Sequence, residues 1–130
     1  MKRATVRTIP TEDTEQIIVF SWAQMSLGRY PELKWLHHIP NGGKRSKAEA
    51  GRFKAMGVRS GVSDIFLPVS RGGYFGLYIE MKALDGKPTS KQLEFIRDIT
   101  AAGYLGRVCY GADEAIETIE QYLKGKFNSD

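Results

Sequence analysis

The chain has 130 residues, with 19 Lys and Arg against 15 Asp and Glu, a formal net charge of +4 and one cysteine. This length predicts a single domain over residues 1–130 that folds without a disulfide framework or a cysteine-rich zinc module. No apolar run approaches the roughly 18 residues that span a bilayer, and no apolar stretch follows the basic N-terminus. We therefore expect a cytoplasmic protein with no membrane partner.

Hydrophobic periodicity and the breaks at glycine and proline set the order of secondary structure. Helices are predicted over residues 11–27, 46–56 and 112–123 and from residue 89 onward. Strands are predicted over 36–39, 74–82 and 104–110, and residues 62–69 contain a strand centred on Ile65-Phe66-Leu67. Residues 71–73 favour a hairpin turn between the second and third strands. The order αβαββαβα predicts an α/β fold in which helices flank a mixed β-sheet.

Three of the predicted helices have an apolar face that the spacing defines. These faces consist of Ile18, Val19, Trp22 and Met25 in the first helix, of Leu93, Ile96, Ile99 and Thr100 in the helix after residue 89, and of Ile116, Ile119 and Leu123 in the last helix. Glu15 shares the first of these faces, where a buried carboxylate needs a partner or a metal. The alternative is a hydrated carboxylate in the first helical turn, where the helix dipole favours negative charge.

Basic charge is concentrated in one stretch of the sequence. Residues 34–60 contain seven Lys or Arg and one acid, whereas residues 111–130 contain five acids and two lysines. Such a concentration indicates a polyanionic partner, most commonly nucleic acid. A solvated basic surface loop explains the same charges equally well.

Three charged residues in the two central strands suggest chemistry. Asp64 begins an apolar strand, and Glu80 and Lys82 lie two residues apart in the next strand, on one face of the sheet. A hairpin would pair these strands and bring the two carboxylates within reach of one cation. Oxygen ligands of this kind suit Mg²⁺ or Mn²⁺, which promote phosphodiester hydrolysis. Two alternatives remain open. Glu80 and Lys82 can be a solvated ion pair, and Asp64 can belong to a turn at the end of its strand.

Gln92 has two interpretations. It follows Thr89 by three residues, so its side chain can complete a capping box at the start of the helix. Alternatively, it points into the cleft with Asp64 and Glu80 and positions a water or a phosphate.

The pattern Gly61-Val62-Ser63-Asp64, then Glu80-Met81-Lys82, then Gln92 one helix later resembles the PD-(D/E)xK nuclease superfamily. Within it, the chain is similar to the VRR-Nuc family of virus-type replication and repair nucleases, and to its small stand-alone members from bacteriophages. Residues 39–45, 57–67 and 76–82 also carry the likeness, which extends from the Glu15 helix to the final helix. Ser63 stands where the superfamily pattern has proline, a position that shapes the backbone rather than the chemistry.

The resemblance implies a restriction-endonuclease-like fold and a Mg²⁺- or Mn²⁺-dependent endodeoxyribonuclease. Carried over by position, Asp64, Glu80 and the backbone carbonyl of Met81 would be metal ligands, and Glu15 would match the acidic residue of the family's first helix. Lys82 would be the catalytic lysine, and Gln92 the glutamine of the following helix. The likeness to stand-alone members further implies a homodimer that acts on branched DNA, as Holliday-junction resolvases do.

If the chain is a nuclease, the basic residues within 34–60 are expected to contact DNA. Five side chains would neutralise phosphates without reading sequence: Lys44, Arg45, Lys47, Arg52 and Lys54. Nothing in the sequence resembles a base-reading helix or a zinc finger, so we expect recognition of DNA shape, in branched or duplex DNA. The alternatives are a non-catalytic DNA-binding module on a nuclease fold that recruits a replication or repair partner, and an RNA-directed nuclease.

Overall fold

The computed structural model describes residues 9–40 and 46–129. Four α-helices and four strands follow the predicted order, and a short 3₁₀ helix at Pro31–Trp35 was not predicted. The helices are α1 (Glu12–Met25), α2 (Lys47–Ala55), α3 (Ser90–Ala101) and α4 (Ala112–Leu123), and the strands are β1 (His37–His38), β2 (Ile65–Leu67), β3 (Leu77–Lys82) and β4 (Leu105–Tyr110). The predicted α/β class is confirmed.

The four strands form one mixed sheet in the order β1-β2-β3-β4. Strands β1, β2 and β3 pair antiparallel, and β3 pairs with β4 in parallel across the α3 crossover. The pairing of Arg71 with Tyr74 closes the predicted hairpin turn between β2 and β3. This register makes β3 a central strand that carries side chains to both faces of the sheet.

One face of the sheet, with Leu77, Ile79 and Met81 of β3, is the core face. These three side chains are at most 1% exposed, and they form the hydrophobic core together with buried residues of α1 and α4 such as Val19 and Ile119. Burial of apolar area on this face is the main contribution to stability, at roughly 25 cal/mol per Å².

The opposite face of β3, with Tyr78, Glu80 and Lys82, is the site face. Helix α3 packs on this face beside β4, where Gly106 allows close approach because a Cβ atom there would lie 2.8 Å from Ile99 Cδ1. Here the sheet buries two charged residues, since Glu80 is 1% and Lys82 7% exposed. Isolated charges are rarely buried, so this face requires an explanation other than stability.

The predicted apolar faces of α1 and α3 are partly wrong. In α1 the buried residues are Glu15, Val19 and Ala23, whereas Ile18 and Met25 are 45% and 81% exposed. In α3, Leu93 is 48% exposed. Apart from Glu15, the buried residues of α1 are Val19 and Ala23, whose side chains are smaller than those of the exposed Ile18 and Met25. Hydrophobicity alone favoured the larger residues on the neighbouring face.

Across residues 9–40 and 46–129, no helix has both the length and the apolar character that a membrane span requires.

Candidate functional site

Asp64 and Glu80 meet at one end of the sheet. Asp64 directly precedes β2, and the pairing of Ile65 with Ile79 places it opposite Glu80. The Met81 amide donates a hydrogen bond of 2.8 Å to Asp64 Oδ2. This bond fixes the Asp64 carboxylate against the β3 backbone, so the predicted pairing of the two carboxylates is present in the fold.

Glu80 is a buried acid with incomplete hydrogen bonding. Its Oε1 atom has no hydrogen-bond partner among the described residues. The pKa of its side chain is raised to about 9, first by burial and then by the negative charge of Asp64 and a hydrogen bond with it, while the Lys82 ammonium lowers it. Two carboxylates this close cannot both ionise cheaply without a cation. In the absence of a metal, burial and the charge of Asp64 therefore favour the protonated form of Glu80.

Lys82 lies between two carboxylates. Its Nζ atom is 3.8 Å from Glu80 Oε2 and 3.7 Å from Glu12 Oε2, and its side chain is 8% exposed. Glu12 belongs to the first turn of α1 and is 45% exposed. The ammonium is therefore held at the rim of the site, with one buried and one partly hydrated carboxylate beside it.

The Glu15 side chain contacts the N-terminus of helix α4 rather than Asp64 or Glu80. The backbone amide of Ala112 donates a buried hydrogen bond of 2.7 Å to Glu15 Oε1. Helix α4 begins after Gly111, which has no side chain to cap it, so Glu15 serves as the cap from α1. The Gly111 amide in turn donates to the Lys82 carbonyl at 3.0 Å. Glu15 thus supports the end of β3 from a distance.

The acid of α1 that faces the site is Glu12, and the sequence interpretation missed it. Glu12 and Glu15 are three residues apart, so they lie on adjacent turns, and a shift of one turn in helix register exchanges their positions. The signal was present in the sequence as an acid in the first turn. The helix dipole alone is enough to explain an acid at that position.

Gln92 adopts the capping geometry. Its Oε1 atom accepts a hydrogen bond of 2.8 Å from the Thr89 backbone amide, and the Gln92 backbone amide donates to Thr89 Oγ1 at 3.2 Å. This reciprocal pair starts α3 and leaves the Gln92 side chain half-buried. A role of Gln92 toward a phosphate or water stays a prediction.

Helix α2 presents its basic residues to solvent. Lys47, Arg52 and Lys54 are exposed, and none of the nine residues of this helix, all of which are described, is buried. A capping box between Ser46 and Glu49 starts the helix. Lys44 and Arg45, the other two predicted phosphate contacts, lie outside the described residues.

The oxygen donors at the end of the sheet suit a divalent metal that keeps much of its hydration. The described residues contain no group of three or more His, Cys, Asp or Glu side chains arranged to hold a metal ion. Two carboxylates are nevertheless sufficient for Mg²⁺ or Mn²⁺, which keep several waters and bind through one or two carboxylates and the substrate phosphate. The unpartnered Glu80 Oε1 is a free oxygen donor at the right place. Asp64 and Glu80 therefore fit such an ion.

The fold and the paired carboxylates define an α/β domain with an acidic site at one end of its sheet. The family model described as "VRR-NUC domain" matches residues 9–113, which is most of the chain, so the protein belongs to the VRR-NUC domain family. A solved structure titled "VRR_NUC domain protein" is similar, with 34% sequence identity and a TM-score of 0.78, over 92% of this chain and 93% of that one. Comparison with curated proteins gave no match.

Proposed function

We propose that the protein is a Mg²⁺- or Mn²⁺-dependent endodeoxyribonuclease that hydrolyses phosphodiester bonds. The observation that carries this proposal is the buried pair of Asp64 and Glu80, with an unpartnered carboxylate oxygen and the Lys82 ammonium beside it. A buried acid with a raised pKa beside a specific charged partner is typical of functional sites.

Each residue of the site has its own part in the proposed reaction. Asp64 and Glu80, with the Met81 carbonyl, would hold the metal. When bound, a divalent ion lowers the pKa of water and neutralises charge on the phosphate. Lys82 holds a positive charge where it can orient the attacking water and stabilise the negative charge that develops on the phosphate. Glu12 positions the Lys82 ammonium at the rim of the site.

The substrate is DNA that is recognised by shape. The exposed Lys47, Arg52 and Lys54 of α2 can neutralise phosphates along a strand without contact to base edges. We further propose that the enzyme prefers branched DNA and acts as a homodimer, since two symmetric sites can cut both strands at a junction.

Cleavage of labelled DNA tests the activity. Linear duplex, nicked duplex, flap and four-way junction substrates, with a single-stranded RNA for comparison, are incubated with Mg²⁺, Mn²⁺ or EDTA. We expect metal-dependent cuts whose rate falls at least about 100-fold in Asp64→Asn and Lys82→Met, since groups that act on a developing charge contribute this much. The matched controls are Asp85→Asn and Lys87→Met, which alter exposed residues just after β3. Wild-type cleavage rates in Asp64→Asn would contradict the proposal.

A non-catalytic DNA-binding module is the second candidate, because the exposed basic helix α2 binds phosphate equally well without a reaction. Salt-sensitive binding of DNA with no cleavage of any substrate in either metal would favour it. Sedimentation of the free protein and of its DNA complex measures the oligomeric state in both cases.

A further inference from the structure

Six rings form a connected cluster around Phe66 and Tyr78, whose side chains lie on the site face of the sheet. Phe66 and Tyr78 stack with ring centroids 4.3 Å apart, and neighbouring rings meet them edge-on or tilted at 5.1 to 6.1 Å. The members of this aromatic cluster are His37, Phe66, Phe75, Tyr78, Phe95 and Tyr104. Most of these rings are half-buried, while His37 and Phe75 are exposed. The function proposed above uses none of them.

The aromatic cluster is continuous with the candidate site. Phe66 pairs with Tyr78 across β2 and β3, and these residues lie two positions along their strands from Asp64 and Glu80. Because side chains alternate across a strand, both pairs point to the same face. Two strand residues span about 6.8 Å, so a polynucleotide chain bound at the carboxylates would extend over the rings within a few nucleotides.

Of the two exposed rings of the cluster, His37 and Phe75, Phe75 is the hydrocarbon ring. Its side chain is 63% exposed, yet its backbone amide donates to the Gly103 carbonyl at 2.9 Å. A Cβ atom at Gly103 would lie 2.5 Å from Phe75 Cε2, so the ring rests directly on the glycine backbone. The Tyr104 ring supports it at a centroid distance of 5.8 Å. Phe75 is therefore a fixed aromatic ring with an open surface.

We propose that Phe75 is a stacking platform for a nucleobase that is exposed where a DNA branch interrupts base stacking. This inference rests on the proposed function, because that function brings DNA to Asp64 and Glu80, beside the aromatic cluster. Every base offers a flat π surface, so stacking on an aromatic side chain tolerates any sequence. In a continuous duplex the bases are stacked on one another, and only an interruption of the stack frees such a surface. The platform thus gives preference for structure without preference for sequence.

The position of Phe75 also limits its distance from the candidate site. Phe75 precedes Glu80 by five residues, so at about 3.4 Å per extended residue the two Cα atoms are at most about 17 Å apart. Along a DNA strand with a rise of about 3.4 Å per nucleotide, this is about five steps. We therefore expect cleavage within about five nucleotides of the branch.

Binding measurements in EDTA test the platform without cleavage. The probes are fluorescein-labelled four-way junction, flap and linear duplex DNA of equal length, at one fixed salt concentration. We expect Phe75→Leu to weaken binding of the junction and flap by about 5-fold or more, and Phe75→Tyr to bind as the wild type does. Linear duplex binding stays unchanged in both. The matched control is Trp35→Leu, which removes a ring that is 60% exposed and lies outside the aromatic cluster.

A fluorescent base reports stacking directly. When 2-aminopurine occupies successive positions near the branch, its fluorescence should fall on binding at one position with the wild type and with Phe75→Tyr, but not with Phe75→Leu. Equal affinities of wild type and Phe75→Leu for every probe would overturn the inference. A shift of Phe75→Leu from dimer to monomer in sedimentation would also overturn it, since Phe75 would then belong to a protein interface.

These outcomes separate the inference from the proposed function. Loss of branch preference in Phe75→Leu, with cleavage of linear duplex retained, supports both. Metal-dependent cleavage with no effect of Phe75→Leu on branch binding or cut position overturns only the platform. Branch binding that depends on Phe75, in a protein that cuts no substrate, overturns only the nuclease.

Discussion

Two buried glutamates, one in α1 and one in β3, are treated very differently by the fold. Glu15 packs between α1 and α4 and accepts a hydrogen bond from the Ala112 amide at a helix N-terminus. Glu80 lies on the site face of β3, with one oxygen unpartnered among the described residues and with Asp64 beside it. The Glu15 carboxylate meets partial positive charge from a helix dipole, whereas Glu80 lies between the negative charge of Asp64 and the Lys82 ammonium.

The contrast separates structure from chemistry. A buried carboxylate that is bonded to a helix N-terminus stabilises the fold. A buried carboxylate without a full set of partners costs stability, and proteins keep such groups at sites where they act. Burial alone would have ranked Glu15 and Glu80 together, whereas the hydrogen-bond partners distinguish a cap from a candidate ligand.

The largest expected change in the free energy of unfolding comes from a substitution on the core face of β3. Ile79→Ala should lower the free energy of unfolding by about 2 to 5 kcal/mol, because it leaves a cavity in a fully buried position. Urea unfolding followed by circular dichroism measures this. Leu84→Ala, at a side chain that is 61% exposed, is the control and should change stability by less than about 0.5 kcal/mol. An equal loss in both variants would contradict the assignment of the two positions.

Removal of the α4 cap should have the next largest effect. Glu15→Ala leaves the Ala112 amide without its acceptor, and the expected loss is about 1.5 to 3 kcal/mol, as for a hydrogen bond to a charged group. Glu15→Gln keeps an acceptor oxygen and should lose less. Amide hydrogen exchange at the start of α4 should accelerate in Glu15→Ala. Exchange at the wild-type rate there would refute the capping role.

Glu80→Gln should change stability in the opposite direction. Between the ordinary carboxyl pKa of 4.5 and the folded-state pKa of about 9, the folded protein keeps a proton that the unfolded chain has lost. The free energy of unfolding of the wild type therefore falls as pH rises through this window, and glutamine has no such titration. We expect the metal-free variant to be more stable by at least about 1 kcal/mol at pH 7, since one pKa unit is worth about 1.4 kcal/mol.

Unfolding curves in EDTA at pH 5, 7 and 9 measure this difference, which should grow with pH. Glu117→Gln, at an exposed acid of α4, is the control and should show no such trend. A wild type that gains stability relative to Glu80→Gln as pH rises would contradict the direction of the pKa shift.

The smallest effect on stability is expected for the basic helix α2. Arg52→Gln with Lys54→Gln should leave the free energy of unfolding within about 0.5 kcal/mol, because both side chains are exposed. The same variant should reduce the salt dependence of DNA binding by about 0.9 in the logarithmic slope for each phosphate that the protein no longer neutralises. Lys124→Gln with Lys126→Gln, two exposed lysines after α4, serves as the control. Equal slopes in wild type and α2 variant would remove α2 from the interface.

Much of the fold was predictable from local patterns. The order of elements follows from glycine and proline breaks, and the turn at Arg71 correctly predicted the antiparallel pairing of β2 with β3. That pairing was enough to bring Asp64 and Glu80 together. The 3₁₀ helix and the true buried face of α1 were not predictable in this way, because tertiary contacts with α4 and the sheet select them.

Some contacts of the candidate site could not be predicted from residue spacing, because they too depend on tertiary structure. Which of Glu12 and Glu15 faces Lys82 depends on the position of α1 along its axis, because the two acids lie one turn apart on the same side of the helix. Helical periodicity leaves that position open. Gln92 was predicted in two roles, and its local bonds with Thr89 show only the capping one. The aromatic cluster was not predictable from spacing, because its rings come from three strands, from α3 and from the segments before β3 and β4.

The bond between Glu15 and Ala112 joins residues that are 97 positions apart in the sequence. During synthesis on the ribosome, α1 emerges first and α4 last, so Glu15 has no Ala112 amide to bind until the C-terminal helix has been made. The same event brings Gly111 to the Lys82 carbonyl. Closing so long a loop is a slow, late step of folding. A nascent chain would therefore complete the support of the end of β3, beside the proposed catalytic Lys82, only after nearly the whole domain has been translated.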